Sequence, residues 1–162
     1  MDPAQRRETE RSSRPTLSFG RTFVALLSAW MLPGLGHVIL GRVRRGILFA
    51  VLILGSFGLG VAHDGRFGLK SDREAFLSTL QVIANVGVGP VDMLGRSRAY
   101  GELCYALPSD PADPAYESRL RTLRDRTRSP LSIYGTAYLW TAGLMNLLLL
   151  FDVWDIARGA KA

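Results

Sequence analysis

The sequence predicts an all-α, polytopic integral membrane protein with three crossings plus one broken or re-entrant hydrophobic segment. Three observations carry this expectation. Ionisable side chains are missing from long apolar runs, those runs approach the length of a bilayer core, and arginines crowd their edges. The totals are ordinary for one domain, 48% hydrophobic and 21% charged residues in 162, but their distribution is segregated. Between Thr22 and Leu40, and between Gly46 and Ala62, His37 is the only ionisable side chain.

Residues 1–21 hold Arg6, Arg7, Arg11, Arg14 and Arg21 with almost no apolar content, so they read as a flexible cytoplasmic tail. A basic lead before an apolar run resembles a signal peptide. The lead is long, however, and no small-x-small cleavage site follows, so the segment is expected to be retained. The remainder, 22–162, reads as a membrane domain.

Segment one, 22–40, has the length of a span, but Pro33, Gly34 and Gly36 interrupt it. Proline removes a backbone donor and pushes Leu32 away from helix, which predicts a broken or re-entrant helix. Segment two, 46–62, carries no charge and is the firmest span. Segment three, 75–95, includes Gln81, Asn85, Pro90 and Asp92, and reads either as a span or as an interfacial segment. Segment four, 132–151, is a clean run with Tyr134, Tyr138 and Trp140 toward its start and Trp154 beyond its end, the aromatic edging that headgroups favour. The polar loop 96–131 between segments three and four contains Asp113-Pro114, a helix-start signal, followed by Tyr116, Leu120 and Leu123 at helical spacing among arginines. That predicts a short basic helix, either lying on the membrane surface or solvated and salt-bridged through Glu117–Arg121 and Arg121–Asp125.

Basic residues number five in 1–21, three in 41–45, three in 63–74, seven in 96–131 and two beyond 151. Four crossings would divide them evenly. Three crossings divide them fifteen to five, and favour an N-terminus in the cytoplasm. Pro33-Gly34-Leu35-Gly36 marks segment one as the preferred exception. The net charge of +6 comes with 18 arginines among the 20 basic residues, placed at the edges of apolar runs. This suits anionic lipid, and no nucleic-acid-binding motif accompanies it.

A single cysteine, Cys104, excludes an intrachain disulfide and a cysteine-based zinc site. No P-loop, Rossmann, GxSxG, HExxH or CxxC pattern occurs. His37 and His63 fall at opposite ends of segment two, so no cofactor or metal is expected. The densest unusual stretch is LPGLGHVILGRVRRG, residues 32–46. Pro33, Gly34, Gly36 and His37 with Arg42, Arg44 and Arg45 form a candidate lipid or partner contact, or else a tight turn with topology-setting arginines. Asp152 and Asp155 share a helix face near Asn146, a possible polar cluster or carboxylate pair at the interface.

The stretch LPGLGHVILGRVRRGILF resembles the opening of small uncharacterised bacterial membrane proteins related to the two-transmembrane-helix hairpin domain, and AGLMNLLLLFDVWDIARG, residues 142–159, resembles the end of one such family. Val38-Ile39 departs from the aromatic pair or Leu-Tyr found in related hairpins. The resemblance implies a fold type and a bacterial inner membrane but no reaction. The expected role is therefore a small membrane scaffold or interaction protein, packed against itself or a membrane partner. Two alternatives are a small transporter or lipid-handling protein using the broken segment 32–46, and an intramembrane hydrolase using Asp152 and Asp155.

Overall fold

A computed structural model describes residues 18–72, 74–107 and 110–159, and among them the chain is helical with no strand. The helices are α1 (Phe19–Met31), α2 (Leu35–Ile39), α3 (Val43–Ala62), α4 (Ala75–Val86), α5 (Pro90–Tyr100), α6 (Pro114–Thr127) and α7 (Ser132–Ala157). Most of the expected tail lies outside the described residues, and its last three positions, 19–21, open α1.

Two helices are long and apolar enough to cross a bilayer, α3 with 20 residues and α7 with 26. At 1.5 Å per residue they reach about 30 and 39 Å. They are antiparallel: Gly60 near the end of α3 abuts Gly135 and Leu139 near the start of α7. The shared core contains Ile53, Phe57, Leu139, Ala142 and Leu149, together with Phe67 and Val88. The bundle thus has a proximal end, where α3 begins and α7 finishes, and a distal end, where α3 finishes and α7 begins.

Segment one folds as a hairpin entering from the proximal end. Helix α1 has 13 residues, about 20 Å, and stops at Leu32, whose extended backbone (φ −137°, ψ 112°) is what a following proline requires. Gly34 then adopts φ 87°, against the backbone of Gly46 at the start of α3, where a side chain would not fit. Helix α2 runs back along α3, and Gly36 nestles between Ala25, Ala29 and Val153. Both ends of the 22–40 segment therefore lie at the proximal end.

Segment three, read as a span or as an interfacial segment, is two helices, α4 and α5, bent by 113° around Gly87–Gly89, the form of a broken span or of a re-entrant loop. Helix α4 descends beside α7, Ala84 and Gly87 packing on Gly143. The chain after α5 then returns to the start of α4, where Lys70 N–H donates to the Tyr105 carbonyl at 2.8 Å and Leu107 N–H to the Lys70 carbonyl at 2.9 Å. Both ends of this pair therefore lie at the distal end. Pro90 did not itself make the bend; it occupies the first turn of α5, where its missing N–H costs nothing.

Helix α6 starts as the Asp113-Pro114 signal predicts, with Asp113 Oδ1 accepting from Ala115 N at 2.7 Å. None of its residues is buried. Its recorded ion pairs are Arg119–Glu102 at 2.8 Å and Arg128–Asp125 at 3.5 Å, in place of the expected Glu117–Arg121 and Arg121–Asp125.

The surface inverts the pattern of a water-soluble bundle. Phe19, Phe23, Ile47, Val51, Phe76, Leu148 and Phe151 are all more than half exposed, whereas His37, Asn85, Asp92, Arg96 and Asn146 are buried. So broad an apolar exterior around a polar interior matches hydrocarbon, not water, as the surrounding solvent.

Candidate functional site

Helices α1 and α4 enter from opposite ends, and their C-terminal turns meet beside the middle of α7. Trp30 Nε1 donates to the Val86 carbonyl at 3.3 Å, and Gly89, at φ 79°, sits on the Trp30 carbonyl. Between the two hairpins lies Asn146, fully buried, its Nδ2 donating to the Gly87 carbonyl at 2.8 Å and toward the Ala29 carbonyl at 3.5 Å. A helix C-terminus leaves carbonyls unsatisfied and carries partial negative charge. Two such termini converge here. The other amide atom, Asn146 Oδ1, is buried without a hydrogen-bond partner, which makes the junction richer still in acceptors.

Further polar groups flank this junction on either side. Toward the proximal end His37, fully buried in α2, holds Nε2 at 3.0 Å from Asp152 Oδ2 and stacks at a tilt against Phe49 with ring centroids 5.4 Å apart. Toward the distal end Asn85 Oδ1 accepts from Gly68 N at 3.0 Å. Arg96, also fully buried, donates Nε to Asp92 Oδ2 at 2.8 Å and Nη1 to the carbonyls of Gly68 at 2.8 Å and Cys104 at 3.0 Å. Its guanidinium lies 4.3 Å from the Tyr105 ring centroid. One side chain therefore ties α5 to both distal loops. Burial raises the Tyr105 phenol above its ordinary 10.0, and the neighbouring Asp92 carboxylate raises it further against the opposing pull of Arg96.

The residues singled out in the sequence divide into three groups. Pro33, Gly34 and Gly36 form the turn and packing surface of the first hairpin. Arg42, Arg44 and Arg45 surround a broad, shallow depression at the proximal end, with Arg42 Nη1 buried and lacking a hydrogen-bond partner. Asn146 serves the mid-depth junction and Asp152 meets His37, while Asp155 lies one turn further along α7. His63 bonds its own helix through Leu59, away from His37. Among the described residues no three His, Cys, Asp or Glu side chains are grouped so as to hold a metal ion.

Sequence reasoning missed the Asp92–Arg96 pair and the role of Trp30. The first had a legible signal, an i,i+4 carboxylate–guanidinium pair across the end of the third hydrophobic segment, where a carboxylate is tolerated when paired.

Apolar helices enclosing buried polar pairs and two broken helices define a small all-helical protein with two to three candidate membrane spans. The chain belongs to DUF6677, a family of unknown function, which matches residues 24–162. No curated protein and no solved structure matches it.

Proposed function

We propose that this is a two-crossing membrane protein handling a small cation, the proton included, and that the structure is its closed state. The observation that carries this reading is the convergence of the C-terminal ends of α1 and α4 on Asn146. Discontinuous helices entering from opposite faces are how many transporters build a polar point inside hydrocarbon, and helix C-termini there suit cations. The buried series His37, Asn146, Asn85, Asp92 and Arg96, with the half-buried Asp152 beside His37, supports it, because polar groups at membrane depth commonly mark a pathway. Close packing of Gly89 on Trp30 and of Gly143 on Ala84 supports the closed assignment.

In this reading α3 and α7 cross, while 22–40 and 75–100 are half-membrane hairpins. The basic residues then divide evenly. Orientation rests on Arg42, Arg44 and Arg45, crowded at the start of a crossing, whereas distally Arg96 is buried in an ion pair and Arg119 is bound to Glu102. We accordingly place both termini in the cytoplasm, and take the bacterial inner membrane from the resemblance to small hairpin proteins.

Topology is tested with Val43→Cys, Asp72→Cys, Asp110→Cys and Arg158→Cys in a Cys104→Ser background. Two crossings predict that 43 and 158 label from one side and 72 and 110 from the other. Labelling of 110 together with 43 would restore three crossings. Function is tested in proteoliposomes with imposed proton, sodium and potassium gradients. Flux above protein-free vesicles, reduced at least tenfold by Asn146→Leu, is expected; absence of both flux and binding for all three cations rejects the reading.

The scaffold reading retains one supporting observation: Gly55 and Gly58 on α3 have nothing within 4 Å, leaving a slim outward face. The carboxylate-pair hydrolase gains no support, since one oxygen of Asp152 is engaged by His37.

A further inference from the structure

The distal end contains a cleft of about 290 Å³ that the transport reading does not use. The loop Arg66–Leu69 forms one side, Glu74 and Gln81 another, and Thr136 and Trp140 of α7 a third, with Leu123 of α6 across it. Two donors of this lining, Arg66 Nε and Trp140 Nε1, are buried and have no hydrogen-bond partner. The backbone here is already satisfied: Arg66 N donates to Thr136 Oγ1 at 3.0 Å, which in turn donates to the Ser132 carbonyl at 2.8 Å. A buried N–H without an acceptor is costly, and two in the lining of one cleft, one on a guanidinium, call for an anionic oxygen.

The lining also carries Glu74, which is exposed. One guanidinium and one carboxylate balance, so a simple anion would leave Glu74 repelling it and a simple cation would leave Arg66 unmatched. A ligand bearing both charges matches both. The depth is also appropriate, since Trp140 lies on the first turns of a candidate span, the zone where tryptophan meets lipid headgroups.

We propose that this cleft binds a phosphate-bearing zwitterion of the phosphoethanolamine type, whose phosphate oxygens accept from Arg66 Nε–H and Trp140 Nε1–H and whose ammonium faces Glu74. The same chemistry arrives either as the headgroup of phosphatidylethanolamine or as free phosphoethanolamine.

The test uses the purified full chain in detergent, mixed with equal amounts of phosphatidylethanolamine and phosphatidylglycerol, with retained lipid counted by native mass spectrometry; free phosphoethanolamine is titrated in parallel by calorimetry. Preferential retention of phosphatidylethanolamine is expected. Trp140→Phe, which keeps the ring and deletes the donor, should lower that retention at least about tenfold, the loss typical of one charge-assisted hydrogen bond. Glu74→Gln, on the exposed rim, should abolish the preference over phosphatidylglycerol. Binding of the lipid alone assigns the site to the membrane headgroup, and equal binding of the free compound assigns it to the soluble one. The proposal is overturned if phosphatidylglycerol is retained equally by the unaltered protein, if neither probe binds, or if Trp140→Phe and Glu74→Gln, with native helix content, behave as the unaltered protein. Cation flux is independent of each outcome.

Discussion

Asn146 Nδ2 donates to the Gly87 carbonyl at 2.8 Å across 59 positions of sequence, and the same nitrogen reaches the Ala29 carbonyl at 3.5 Å across 117. One amide thereby satisfies the broken backbone of both hairpins. Asn146→Leu keeps the volume and removes the donor, leaving both carbonyls unsatisfied in a dry interior. The expected cost is about 2–4 kcal/mol, read as a lowered unfolding midpoint in detergent. An unchanged midpoint would mean that the carbonyls find other donors.

Glycine substitutions should separate by position. Gly89→Ala must hold φ 79° and place its Cβ against the Trp30 carbonyl, so a loss above about 2 kcal/mol is expected. Gly55→Ala, in mid-helix with nothing within 4 Å, should gain roughly 0.5–1 kcal/mol. Equal effects at both sites in a thermal melt would show that the second hairpin does not close as described.

The Arg96–Asp92 pair predicts a non-additive cycle. Arg96→Met strands a buried carboxylate and should cost about 3–5 kcal/mol, while the double variant Asp92→Leu/Arg96→Met should recover a large part of it. Full additivity in chemical unfolding would contradict a buried, mutually dependent pair.

Alkaline pH should weaken the distal loops through Tyr105. Its phenol is raised above 10.0 in the folded chain, so the unfolded chain releases that proton first and stability falls as pH rises through this range. Tyr105→Phe should flatten the pH dependence of unfolding above pH 10 relative to the unaltered protein. An unaltered slope would remove Tyr105 as its source.

The two continuous apolar helices were legible because nothing local contradicts them: Gly46–Ala62 lies within α3 and Ser132–Phe151 within α7. Pro33-Gly34 also announced its turn, since proline and a left-handed glycine leave the chain few alternatives. The second turn was harder to read. Gly87 and Gly89 weaken a helix without forbidding it, and Pro90 drew the eye to a position where proline is harmless. A repeat was nevertheless present. Gly34-Leu35-Gly36 followed by Leu40-Gly41-Arg42-Val43-Arg44 recurs as Gly87-Val88-Gly89 followed by Leu94-Gly95-Arg96-Ser97-Arg98. The structure gives the two copies opposite directions, one hairpin from each end of the bundle. The meeting of His37 with Asp152 and of Trp30 with Val86 was not legible, because partners 115 and 56 positions apart are chosen by packing and not by local pattern.

The placement of Asn146 also sets an order of events during synthesis. Both hairpins leave the ribosome well before the helix that carries their shared donor. In the proposed topology the carbonyls of Ala29 and Gly87 must be served by water until α7 arrives, so the pairing of the two hairpins is completed by a helix made after both of them.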